Sequence, residues 1–146
     1  MRAPIWLAAA LVVATAHAAS AGNDADCSYL EISATSGKQP AIDGELRPLE
    51  KKLKKPPFAS WNVFHKLSSG PIALDKLKAV TLGLREGSAS VLLRDRTDKR
   101  LELTITVDGP EGKRVLDTKP SLTAGDWLVL ATTAKDDGHL LALTCK

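Results

Sequence analysis

Two histidines, two cysteines and a knot of lysines set what chemistry the chain can perform. Beyond residue 18 the histidines are His65 and His139, and the cysteines are Cys27 and Cys145. Neither histidine has a serine or carboxylate at a spacing that makes a recognised nucleophile motif. The Ser68-Ser69-Gly70 run lacks the pattern of a nucleophile elbow. Asp136-Asp137-Gly138-His139 holds oxygen and nitrogen donors, yet Asp and Gly at that point are what a hairpin turn asks for. A zinc site wants three or four protein ligands and a calcium site about six or more oxygens, so no metal site is assigned there. No glycine-rich phosphate loop occurs. These residues predict no catalytic group, no cofactor and no enzyme.

The lysines carry a different chemistry. Lys51, Lys52, Lys54 and Lys55 occupy four of five consecutive positions in LEKKLKKPP, with Arg47 and Lys66 near in sequence. Four ammonium groups so close can meet an anionic glycan, lipid head groups or an acidic protein. The same run also fits a solvated helix face opposite Leu46, Leu49 and Leu53. Directly after it come Phe58, Trp61 and Phe64. Aromatics beside cations can form a contact site, here centred on Trp61, or can be the large pieces of a small core. On a strand, Trp61 and Phe64 would point to opposite faces. A formal net charge of +3 is too weak a balance to imply nucleic acid.

The cysteines bear on compartment and stability. Arg2, the apolar run at residues 5–14 and the small residues Ala16 and Ala18 form an export signal, giving a cleavable peptide over residues 1–18. Ten or so apolar residues are too few to span a bilayer, which takes about 20, and no comparable run follows. The expectation is export to the periplasm or the medium, with no membrane anchor after cleavage. There Cys27 and Cys145 meet oxidising conditions and pair. In the chain-entropy model a loop of that length contributes about 4–5 kcal/mol.

What positions these residues is a mainly β domain over residues 19–146, the usual size of one domain. Alternation predicts strands near residues 28–34, 61–67, 79–84, 89–94 and 101–107, with a short piece at 115–116. Residues 127–131 are apolar on both faces, which predicts an interior strand, and a hairpin joins them to a last strand at 140–145. Ser68-Ser69-Gly70-Pro71 is a turn by composition. Ile42, Leu46, Leu49 and Leu53 recur at helical spacing, so one short helix is expected near residues 45–54, capped by Asp43 and stopped by Pro56-Pro57. Seven or eight short strands with one helix make an antiparallel β-sandwich or partly open barrel.

One conflict arises in that reading. Leu30 and Ile32 facing the core would put Cys27 outward with Tyr29, whereas Cys145 shares the inward face of Leu141 and Leu143. A bridge between neighbouring strands needs both cysteines on one side. Either one cysteine is reoriented or the final strand is covered on both faces.

The run LEKKLKKPPFASWNVFHKL resembles an uncharacterised group of small secreted bacterial β-rich proteins with a lysine-rich segment and a Pro-Pro-Phe stop. The resemblance implies an exported β domain and transfers no activity. The expectation is an exported, non-enzymatic binding domain whose partner is a protein or an anionic cell-surface polymer, met through Lys51, Lys52, Lys54, Lys55 and Trp61. The alternatives are a structural or accessory cell-envelope component, or an inhibitor of a secreted hydrolase displaying the loop at 108–112.

Overall fold

Strict alternation is clearest in LELTITV, and there each apolar side chain is sealed: Leu101, Leu103, Ile105 and Val107 are at most 1% exposed. In the computed structural model, which describes residues 23–134 and 137–146, ten strands form two five-stranded sheets. They are β1 Ala25–Thr35, β2 Ala41–Ile42, β3 Val63–Leu74, β4 Val80–Leu84 and β5 Gly87–Arg96, followed by β6 Arg100–Asp108, β7 Arg114–Thr118, β8 Ser121–Thr123, β9 Trp127–Ala134 and β10 Gly138–Cys145. The first sheet has the order β2-β3-β1-β10-β9. In the second the order is β4-β5-β6-β7, and β8 also pairs with β6. All pairings are antiparallel except the short β2–β3 ladder, so the expected β-sandwich is present. The proposed signal peptide, residues 1–18, lies outside the described residues, as do Lys135 and Asp136 of the hairpin.

The first sheet is the middle of three layers. One face packs on the second sheet through Cys27, Ile72, Leu74, Leu141 and Leu143 against Leu82, Val91, Leu93 and the β6 stripe. Its other face packs through Leu30, Ile32, Phe64, Leu140 and Ala142 against Leu46, Leu49, Leu53 and Trp61. Coverage on both faces resolves the cysteine conflict. Cys27 and Cys145 are direct register partners on β1 and β10, both buried, and are joined by a disulfide with 4.0 Å between their Cα atoms. The bridge clamps the first long strand to the last.

Three sequence expectations are corrected by the same layering. The strand at 127–131 is not interior, because β9 ends its sheet and β10 is the strand with neighbours on both sides. Two-sided apolarity reports that both faces are covered, even at an edge. Ser68 to Pro71 do not turn but lie within β3. Gly70 is roofed by the Tyr29 ring, 3.1 Å from where a Cβ would stand, and Pro71 lies past the reach of β2, where its missing N–H interrupts no ladder. Asp43 precedes the helical segment but makes no side-chain cap. Its carboxylate instead accepts from His65 Nδ1 at 3.0 Å and from the Lys66 N–H at 2.8 Å.

The helix near 45–54 exists as two joined pieces, a 3-10 helix at Gly44–Leu49 and the single α-helical turn α1 at Glu50–Leu53. Pro48 has no N–H to give an α-helical ladder, and the tighter winding tolerates it. Three of the four stripe residues are as predicted, with Leu46, Leu49 and Leu53 at most 1% exposed, whereas Ile42 lies in β2 and is half-buried. A second 3-10 turn, Phe58–Ser60, follows Pro56-Pro57 and delivers Trp61 to β3.

Candidate functional site

The two faces of the first sheet carry two different polar or charged constellations. On the outer, helical face the four lysines stand where the sequence placed them. Lys51, Lys52, Lys54 and Lys55 are all exposed, and only Leu53 among residues 51–55 is buried. Lys54 Nζ pairs with Glu50 at 2.9 Å, a one-turn contact that holds the Glu50 carboxyl below its usual value. Among the described residues Lys51, Lys52 and Lys55 take part in no ion pair. Lys66, by contrast, is tied to Glu45.

Between this segment and β2 lies an open groove of about 470 Å³. Ile42, Leu53, Ala59, Trp61 and Phe64 form its apolar walls, and Glu50 and Lys54 supply its charges. Trp61 and Phe64 therefore share one face, contrary to the strand expectation. The reason is that Trp61 ends the 3-10 turn and lies ahead of β3, which begins at Val63, so strand alternation does not apply to it. Trp61 is only 9% exposed. Its indole lies flat on Gly138, whose added Cβ would come within 2.6–2.8 Å of the ring. Trp61 is a wall of the groove more than a free contact, and Lys54 is the one lysine of the four that lines it.

The inner face hides a cluster the sequence reading missed. Glu31 is fully buried and its two carboxylate oxygens accept four hydrogen bonds. Oε1 accepts from Ser68 Oγ at 2.6 Å and the Arg85 N–H at 2.8 Å. Oε2 accepts from the Glu86 N–H at 3.0 Å and His139 Nε2 at 2.6 Å. On the far side of the imidazole, Thr132 Oγ1 lies 2.5 Å from Nδ1 and 3.0 Å from the His139 carbonyl. A hydroxyl has one proton to give. Thr132 therefore gives that proton to the His139 carbonyl or to Nδ1, and in either case its hydroxyl fixes the plane of the ring that faces Glu31. Burial pushes the Glu31 carboxyl up, but the bonds from Ser68, Arg85, His139 and Glu86 outweigh it and hold it below the ordinary value.

Two β-bulges build this cluster. Glu31 pairs with Ser68 and Ile32 with Lys66, so Leu67 is an extra residue in β3. Similarly, His139 pairs with Thr133 and Leu140 with Ala131, so Thr132 is extra in β9. Each extra residue shifts strand parity by one, which swings Ser68 and Thr132 to the face of Glu31 and His139. The signal for the cluster was present in the sequence. Glu31 shares the strand face of Cys27 and Tyr29, and coverage on both faces was one of the two ways to reconcile a Cys27–Cys145 bridge with the strand pattern.

As chemistry, the cluster holds more than it reacts. The carboxylate stands between Ser68 and His139, so the imidazole is not placed to take a proton from the serine hydroxyl, and Glu31 and His139 are sealed from solvent. His65 is exposed and paired with Asp43 on the other face, and that bond, with the Lys66 N–H, holds the Asp43 carboxyl low. Among the described residues no three His, Cys, Asp or Glu side chains are placed to hold a metal, and no helix is long and apolar enough to cross a membrane. Compared with known proteins, the chain matches no family model, and no curated protein or solved structure shows significant similarity to it.

Proposed function

We propose that this protein is an exported, non-enzymatic binding domain that meets an anionic cell-surface polymer or an acidic protein through its helical segment. One observation carries the reading: three exposed lysines without carboxylate partners among the described residues, beside Lys54 and an open apolar groove, on a segment riveted to the sheet. A flexible lysine tail would lose conformational entropy on binding. Here Leu46, Leu49 and Leu53 have already fixed the backbone, so much of that cost was met on folding. The groove adds apolar contact for any partner bearing both negative charge and hydrocarbon. Export itself rests on the leader-like residues 1–18, and the buried disulfide fits an oxidising compartment.

The test is retention of the oxidised protein on immobilised dextran sulfate as salt is raised. Exposed charges are screened over about 10 Å at 0.1 M salt, so retention should fall as salt rises. Replacing Lys51, Lys52, Lys54 and Lys55 together with glutamine should abolish it. Unchanged retention would overturn the proposal.

A second reading has its own observation. β9 is an edge strand with the apolar run Trp127 to Ala131, a setting in which another chain can add a strand, as an accessory component of the cell envelope would require. Cross-linking in native extract would then give a stoichiometric partner attached at β9.

A further inference from the structure

We propose that Glu31, with His139 hydrogen-bonded behind it, is a latch that fastens the β4–β5 hairpin of the second sheet onto the first and releases it in acid. The geometry carries the idea. The backbone of the turn between β4 and β5 is held to the first sheet by one side chain: Arg85 and Glu86 give their N–H groups to opposite oxygens of Glu31. Behind Glu31 stand Ser68 from β3 and His139 from β10, with Thr132 of β9 backing the imidazole. Among the described residues the ionisable groups at the site are Glu31, His139 and the Glu86 carboxylate, 3.9 Å from His139 Nε2, while Ser68 of β3 and Thr132 of β9 contribute hydroxyls. A carboxylate that accepts four bonds has no lone pair to spare for a proton. Protonation turns one acceptor into a donor among other donors, and the bonds that remain, those to the turn amides included, lose their charge assistance.

The hairpin is suited to local release. β4 is the edge strand of its sheet, and its turn closes at Gly87, where φ is +122° and a Cβ would stand 2.0 Å from the Asp108 carbonyl. That glycine lets the tip bend back over Glu31, a shape no other residue supports without moving the backbone. Leu82 on β4 packs in the cluster that surrounds the disulfide. Lifting the tip uncovers that apolar interior at one end of the sandwich.

The sign follows from the carboxyl being held below its ordinary value when folded. Its contribution is complete above the ordinary glutamate value, about 4.3, and is lost as pH falls through the lower folded one. The latch is closed at neutral pH and opens only in acid.

Hydrogen exchange on the oxidised full-length protein, corrected for intrinsic rates and run from about pH 7 to about pH 3, tests this. The Arg85 and Glu86 amides should lose protection by roughly 10- to 100-fold, the equivalent of one charge-assisted hydrogen bond, while Leu103 and Ile105 in β6 keep theirs. In Glu31→Gln the same two amides should be unprotected already at neutral pH and unchanged by acid. Should that variant fail to fold, Ser68→Ala removes one bond to the charged form, and the loss should move to higher pH. Full protection throughout would overturn the latch. So would simultaneous loss in β6, or an identical acid response in wild type and Glu31→Gln.

Discussion

The two faces of the first sheet spend charge in opposite ways. On the inner face one carboxylate is removed from water and given four donors, and it joins β1, β3, β10 and the β4–β5 turn. On the outer face four ammonium groups stand in water, and three have no carboxylate partner among the described residues. A buried charge is costly unless fully satisfied, so its removal is felt by the whole fold. An exposed charge contributes little to stability and is available to a partner. The comparison separates what holds the molecule together from what it offers outward, with the helical segment and its Leu46, Leu49 and Leu53 as the mount for the latter.

Breaking the inner side should give the largest effect. Glu31→Ala leaves the Ser68 hydroxyl, two N–H groups and the His139 ring without their acceptor, and should cost about 3–5 kcal/mol in chemical denaturation. A cost below about 1 kcal/mol would show that water replaces the carboxylate and that the cluster is not structural. Gly138→Ala sharpens the boundary between the faces, because the new methyl meets the Trp61 ring from beneath. It should cost about 1–3 kcal/mol by overpacking and shift Trp61 fluorescence, since the groove wall must move. An unshifted spectrum at no cost would mean that the indole does not rest on Gly138. Replacing the four lysines with glutamine should change stability least, by no more than about 0.5 kcal/mol, while removing salt-sensitive retention.

Much of this division was legible in the sequence, and the failures share one cause. The alternation of β6, the leucine stripe at 46, 49 and 53 and the lysine run appear as local patterns, and each has the place expected of it; the cysteines pair as expected, but Cys27 is buried where the strand pattern had it face outward. Local reading failed where a third layer changed what a pattern meant. Glu31 alternates with Leu30 and Ile32, which in a two-layer sandwich sends it to solvent. With helices on one side and a sheet on the other, both faces are interior. Its partner His139 is 108 residues away, beyond any spacing motif. The bulges at Leu67 and Thr132 leave no composition signature, and Ser68 to Pro71 carry turn residues in the middle of a strand because an edge position and the Tyr29 ring accommodate them. Asp43 was read as a cap for a helix, yet its nearest donors are on β3, a pairing that tertiary structure alone supplies.

The claim that recognition belongs to the outer face is tested most directly by following backbone amide resonances of the oxidised protein as dextran sulfate is added. The account predicts that the moving amides are those of Lys51 to Lys55 together with Ala41 and Asn62 at the groove, that added salt reverses the shifts, and that Glu31, Arg85, Glu86 and His139 stay still. Shifts centred on the β4–β5 turn, on β9 or on the 108–112 loop, with the lysine segment unmoved, would contradict it.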